Sequence, residues 1–151
     1  MPRCPLAAGK QDEWERIIDV NIKGVLWGIG AVLPVMEAQG SGQIINVGSI
    51  GALAVVPTAA VYCASKFAVR AISDGLRQES SNIRVTCVNP GVVESELAST
   101  ITHAETKAAM DVYRSVALKP ADIARAVRQV IEAPESVDTT EITIRPTASS
   151  N

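Results

Sequence analysis

From residue 12 onward, Trp14, Ile17, Ile18, Asn21, Ile22, Val25, Leu26, Ile29, Val32, Leu33 and Met36 recur at threes and fours. That period predicts a long helix over 12–38. Pro34 near its end predicts a kink or a tightened last turn, and Gln39-Gly40-Ser41-Gly42 breaks the pattern. Residues 43–47, with Ile44, Ile45 and Val47, read as a short buried strand. A loop over 48–58 leads to a second helical stripe over 60–79, carried by Val61, Ala64, Phe67, Ala68, Ala71, Ile72, Gly75 and Leu76. After Ser80-Ser81-Asn82, residues 83–88 are rich in β-branched side chains and predict a second strand. Asn89-Pro90-Gly91 predicts a turn.

Residues 94–118 are mixed and polar, which predicts a mobile loop with one or two short helices. Pro120 suits the first turn of a last helix with Ile123, Val127, Val130 and Ile131 on its buried face. Residues 139–145 alternate as a final strand, and 1–11 read as a loop. The order helix-strand-helix-strand-helix-strand implies an α/β fold with a three-stranded parallel sheet, because helical crossovers return the chain in the same direction.

Composition narrows the class. The 151 residues suit one domain, 1–151. The aromatic share is only 3% within an apolar share of 47%, so the core is built from Val, Ile, Leu and Ala, as where strands lie between helices. A net charge of -2 offers no electrostatic footprint for nucleic acid or an anionic membrane. No apolar run is read as long enough to span a bilayer, and no signal segment is seen. Cys4, Cys63 and Cys87 lack metal-like spacing, so no metal site is expected and a reduced, cytoplasmic compartment is the simplest inference.

The chemistry concentrates in one stretch. Tyr62 and Lys66 stand four residues apart and share a helix face. An ammonium beside a phenol favours the phenolate, which makes Tyr62 a candidate proton donor and acceptor. Alone, such a pair is commonly a surface feature. In an open parallel sheet, however, ligands sit beyond the carboxyl ends of the strands. Ser49 follows the first strand, Asn89-Pro90-Gly91 follows the second, and Tyr62 opens the helix between them. A hydroxyl, a phenol and an ammonium at one mouth suit polarisation of a carbonyl with proton delivery to its oxygen. His103 reads as an exposed loop residue, Trp14 and Trp27 as packing residues, and Cys63 as a small helix residue.

With these pieces in order, the sequence resembles the short-chain dehydrogenase/reductase family. The matching segments are Asp19-Val20-Asn21-Ile22-Lys23-Gly24, Gly42-Gln43-Ile44-Ile45-Asn46-Val47-Gly48-Ser49-Ile50, Tyr62-Cys63-Ala64-Ser65-Lys66 and Ile83-Arg84-Val85-Thr86-Cys87-Val88-Asn89-Pro90-Gly91. Ser49 precedes Tyr62 by thirteen positions, the spacing that family uses. The resemblance implies a doubly wound, Rossmann-like sheet and NAD- or NADP-dependent interconversion of a small-molecule alcohol and its carbonyl. Tyr62 is then the general acid/base. Lys66 lowers its pKa and holds the nicotinamide ribose, Ser49 bonds the substrate oxygen, and Asn21 holds a water linking Lys66 to solvent. Pro90, Gly91 and Val93 line the nicotinamide face, Ser95 lies near the carboxamide, and 96–118 is the substrate loop.

The family's Gly-rich phosphate-binding turn is not found before Tyr62. The expectation is therefore the carboxyl-terminal, catalytic part of such a domain, lacking on the order of a hundred residues. Gly24, Gly28 and Gly30 imitate the glycine spacing of that turn, but helical periodicity runs straight through them, so they predict close helix packing. The strand at 43–47 is expected to present an unpaired apolar edge. The helices at 12–38 and 60–79, which commonly form the family's dimer interface, are expected to support a homo-oligomer. The alternative is a non-catalytic pseudoenzyme that acts as a helix-mediated dimerisation module.

Overall fold

A computed structural model describes residues 3–97 and 101–149. Helix α1 (Gln11–Ile18) passes through a π turn (Asp19–Lys23) into α2 (Gly24–Gln39). Strand β1 (Gly42–Val47), helix α3 (Ala60–Glu79) and strand β2 (Ile83–Pro90) follow. Helices α4 (Ala104–Tyr113) and α5 (Pro120–Ile131) then lead to β3 (Glu141–Ile144). All three strands are parallel, in the order β1-β2-β3, with Gly42 opposite Ile83 and Cys87 opposite Glu141 at the starts of the two ladders. This is the α/β fold with a three-stranded parallel sheet that the pattern of elements predicts, and it matches the partial Rossmann-like sheet that the resemblance implies.

Strand β2 is central because its run Val85-Thr86-Cys87-Val88 is apolar enough to be buried on both faces; each of these residues is at most 1% exposed. Ile44 of β1, Leu76 of α3, Ile83 and Val85 form a core cluster onto which Ile29, Leu33 and Met36 of α2 pack. The chain can fold α2 back onto β1 because Gly40 takes the left-handed conformation, with φ 71°, at the helix end. Gly42 is required next to it: a Cβ there would stand 2.6 Å from Met36 Sδ. Asn46 crosses the buried layer to donate to Ser73 Oγ at 2.9 Å, and Ser73 donates to Val69 O at 2.8 Å. The core is thereby registered by hydrogen bonds as well as by shape.

Several expectations change. Pro34 lies inside α2, and the departure from α geometry along this helix is the π turn around Asn21, which the sequence pattern does not predict. Helix Gln11–Gln39 is 29 residues long and, by length and composition only, apolar enough to cross a membrane, contrary to the sequence reading. Its apolar side chains are largely uncovered within this chain: Trp27, expected to pack, is 70% exposed. Gly28 and Gly30 have no atom within 4 Å of a Cβ position, so the close packing expected of them is not made within this chain. The turn expected at 89–91 starts later, since Asn89 and Pro90 continue β2 and pair with Thr143 and Ile144. Proline is accepted there because it closes the strand. The 94–118 region contains a ten-residue helix, α4, and residues 98–100 of it lie outside the described residues. His103 is half-buried and caps α4 by accepting from Thr106 N. On α5, Val130 is buried while Ile131 is exposed. β1 forms one edge of the sheet, with Val47 exposed.

Candidate active site

β1 ends at Val47, and the next two residues are fixed from β2. Gly48 N donates to Val88 O at 2.7 Å, and Ser49 N donates to Asn89 Oδ1 at 3.2 Å. Ser49 Oγ accepts from Gly51 N at 3.0 Å, capping the short turn Ile50–Ala52. This turn delivers the chain to α3, whose first turn presents Tyr62, 8% exposed. Lys66 follows one turn later, donates to Val47 O at 2.9 Å, and places Nζ 6.0 Å from the Tyr62 ring centre. On the other approach to that ring, Arg3 Cζ stands 5.7 Å from its centre.

A broad cleft of ≈ 1780 Å³ opens over the carboxyl ends of β1 and β2. Asn21, Ser49, Tyr62, Lys66, Pro90, Gly91, Val93 and Ser95 all line it. The residues after β2 are held by backbone bonds: Gly91 N donates to Ile144 O at 2.7 Å, and Leu118 N to Val92 O at 3.0 Å. Val93 forms a bridge with Leu118. Ser95 is exposed, and its carbonyl accepts from Arg114 Nη2 at 2.6 Å.

Electrostatics here differ from the simple expectation for an ammonium beside a phenol. Burial pushes the Tyr62 pKa above the usual tyrosine value, while the Ser49 hydroxyl and the Arg3 guanidinium pull it down without overcoming burial. Burial likewise lowers the Lys66 pKa. Desolvation disfavours both charged forms and so outweighs their proximity. In the chain by itself the phenol stays protonated at neutral pH, which is the state of a proton donor.

Asn21, besides lining the cleft, is tied to Tyr62 through another residue. Its Nδ2 donates to Ser65 Oγ at 2.9 Å, and Ser65 Oγ donates to Tyr62 O at 2.7 Å. The π turn, which widens the helix by one residue per turn, carries Asn21 where it meets α3. Ser65 had a legible signal, a hydroxyl at i+3 from Tyr62 inside the same motif, yet sequence reasoning passed over it. Arg3 had none, because nothing local ties a loop residue to a helix 59 positions away.

A nicotinamide cofactor fits the groups present. Lys66 has three donors, one of which serves Val47 O, and it lines the cleft together with Pro90, Gly91 and Val93. An ammonium beside a smooth, largely apolar strip suits a ribose diol and a flat ring. Among the described residues, no group of three or more His, Cys, Asp or Glu is placed to hold a metal ion.

The model of the short chain dehydrogenase family matches residues 1–106. An uncharacterised oxidoreductase of Staphylococcus saprophyticus is 50% identical over 154 residues, covering 99% of this chain and 63% of that protein. One of Listeria monocytogenes is 46% identical, covering 98% of this chain and 62% of its own length. Among solved structures, the closed form of serine dehydrogenase complexed with NADP+ is similar with a TM-score of 0.90 and 32% identity, over 99% of this chain and 62% of that one. The chain thus spans about three fifths of the length of the relatives it matches.

Proposed function

The chain belongs to the short-chain dehydrogenase/reductase family, and from that premise we propose that its cleft serves NAD(P)-dependent interconversion of a small-molecule alcohol and the corresponding carbonyl. The observation that carries the reading is that Ser49, fixed by its backbone bond to Asn89, and Tyr62 and Lys66, on one face of α3, line the same cleft. Hydride transfer is the chemistry that a bound nicotinamide cofactor supplies. Tyr62 gives its phenolic proton to the substrate oxygen in reduction and takes it back in oxidation. Ser49 holds that oxygen, and as a fixed donor it stabilises the charge that develops there. Lys66 binds the ribose hydroxyls and, once its charge is held near the phenol, favours the phenolate needed for oxidation. Asn21 positions Tyr62 through Ser65. Pro90, Gly91 and Val93 support the nicotinamide face, and Ser95 lies at its edge. The substrate loop is assigned to 96–118, from which Leu97, Thr102, Thr106, Met110 and Tyr113 line the cleft; residues 98–100 lie outside the described residues.

The buried, free Cys4, Cys63 and Cys87 support a reduced, cytoplasmic compartment. The uncovered apolar side chains of the first helix support self-association through 12–38 and 60–79. Calorimetry with NADH and NADPH tests the reading on the purified chain. Micromolar binding that is lost in Lys66→Ala is the expected result. Absence of binding, together with a stable dimer, would overturn catalysis by this chain and favour a dimerisation module without activity.

A further inference from the structure

Arg3 lines the same cleft as Tyr62 and Ser49, and its guanidinium lies against the Tyr62 ring. Nη1 donates at 3.0 Å to Met110 Sδ, a thioether and therefore a weak acceptor. Nε is buried and meets no acceptor among the described residues. Arg3 takes no part in the ion pairs among those residues; Arg84 and Arg114, which likewise take none, each donate to a backbone carbonyl, whereas Arg3 donates to sulfur. A guanidinium with one donor turned to sulfur and a buried Nε without an acceptor is costly in a partly desolvated site, and the attraction of the aromatic face offsets only part of that cost.

We propose that Arg3 is the docking point for a carboxylate on the substrate, so that the cleft selects a hydroxy acid or oxo acid over a neutral alcohol or carbonyl. The assignment rests on the oxidoreductase reading above. A planar fork of N–H donors matches a carboxylate bidentately, and Lys or a neutral donor does not reproduce that match. The guanidinium carbon stands 5.7 Å from the centre of the Tyr62 ring, which puts the carboxylate site beside the proton donor.

The acids nearby do not fill the role. Glu13 Oε1 accepts from Thr102 at 2.7 Å and faces Lys10 at 3.5 Å while its Oε2 is buried without a partner, Glu94 holds Lys119 at 2.5 Å, and Glu105 is exposed; none of the three pairs with Arg3. Met110, the acceptor of Arg3 Nη1, and the buried Thr106 line the same cleft.

Binding of 3-hydroxybutyrate and of the neutral 1,3-butanediol is measured by calorimetry on the full chain with saturating NADH, and on Arg3→Gln and Arg3→Lys. The acid is expected to bind at least tenfold more tightly than the diol, with the preference erased in Arg3→Gln and only partly kept in Arg3→Lys. Equal affinity for acid and diol in the unsubstituted chain, or no binding of either, overturns the proposal. So does a preference for the acid that survives Arg3→Gln. An equal loss of NADH affinity in Arg3→Gln also overturns it, because the anion held would then be the cofactor's phosphate. Folding of Arg3→Gln is checked by the Tyr62 absorbance titration near 295 nm, which moves to higher pH when the guanidinium leaves an intact site. Tyr62→Phe and Lys66→Ala separate the two readings. If both leave acid binding unchanged and no hydride transfer is seen, the oxidoreductase reading fails while the Arg3 site stands.

Discussion

The link from the π turn to Tyr62 passes through one buried hydroxyl, and Ser65→Ala removes it. Ser65 is 1% exposed, accepts from Asn21 Nδ2 at 2.9 Å and donates to Tyr62 O at 2.7 Å. Each such bond contributes roughly 1 kcal/mol net, and stranding the half-buried Asn21 amide adds part of a desolvation penalty, again about 1 kcal/mol. Alanine returns about 0.5 kcal/mol in helix propensity. The net loss is therefore about 2.5 kcal/mol, or a Tm lower by ~5–10 °C for a chain of this size. Asn21→Ala should lose about 1 kcal/mol, since Ser65 keeps its bond to Tyr62 O. Urea unfolding of both single variants and the double variant measures the coupling, expected near 1 kcal/mol. Additivity within about 0.3 kcal/mol would show that the Asn21–Ser65 bond is not what joins the two helices.

Gly91→Ala should cost about 1–3 kcal/mol. Its Cβ would meet Arg145 Cβ at 2.9 Å and the backbone Cα at 3.1 Å, atoms that a rotamer change cannot clear, and urea midpoints measure the loss. Tyr62 in the isolated chain should titrate at higher pH than a free phenol, in the direction burial dictates. Its stabilising contribution is complete below the ordinary tyrosine value and is lost as pH rises through the folded one. Tyr62→Phe should therefore lose less stability than the parent as pH rises above about 10. Lys66, with its pKa lowered, has the opposite slope: its contribution is present at the alkaline end and lost as pH falls through the folded value. Trp27→Glu, at a 70% exposed position, should leave the fold intact and weaken self-association, read by sedimentation velocity. An unchanged sedimentation coefficient would clear that helix face of the interface.

Much was legible in the sequence because the signals are local. Periods of three and four placed the helices, the β-branched run at 83–88 placed the central strand, and glycine at 40 and 42 marked the return of the chain. The spacing of Ser49, Tyr62 and Lys66 identified the wall of the cleft, since loop and helix geometry fix where such residues emerge.

Tertiary structure decided what depends on distant neighbours. Periodicity cannot tell a stripe covered by this chain from one left open, so Trp27 was read as packing and proved exposed. Helix propensity could not foresee the π turn at Asn21, which is accompanied by a bond to Ser65, 44 positions later. Charge spacing implied a lowered phenol pKa, but burial, which is a property of the assembled fold, reversed the direction. Arg3 drew no notice in the sequence, because only folding sets its guanidinium against Tyr62 and leaves its donors without an acid.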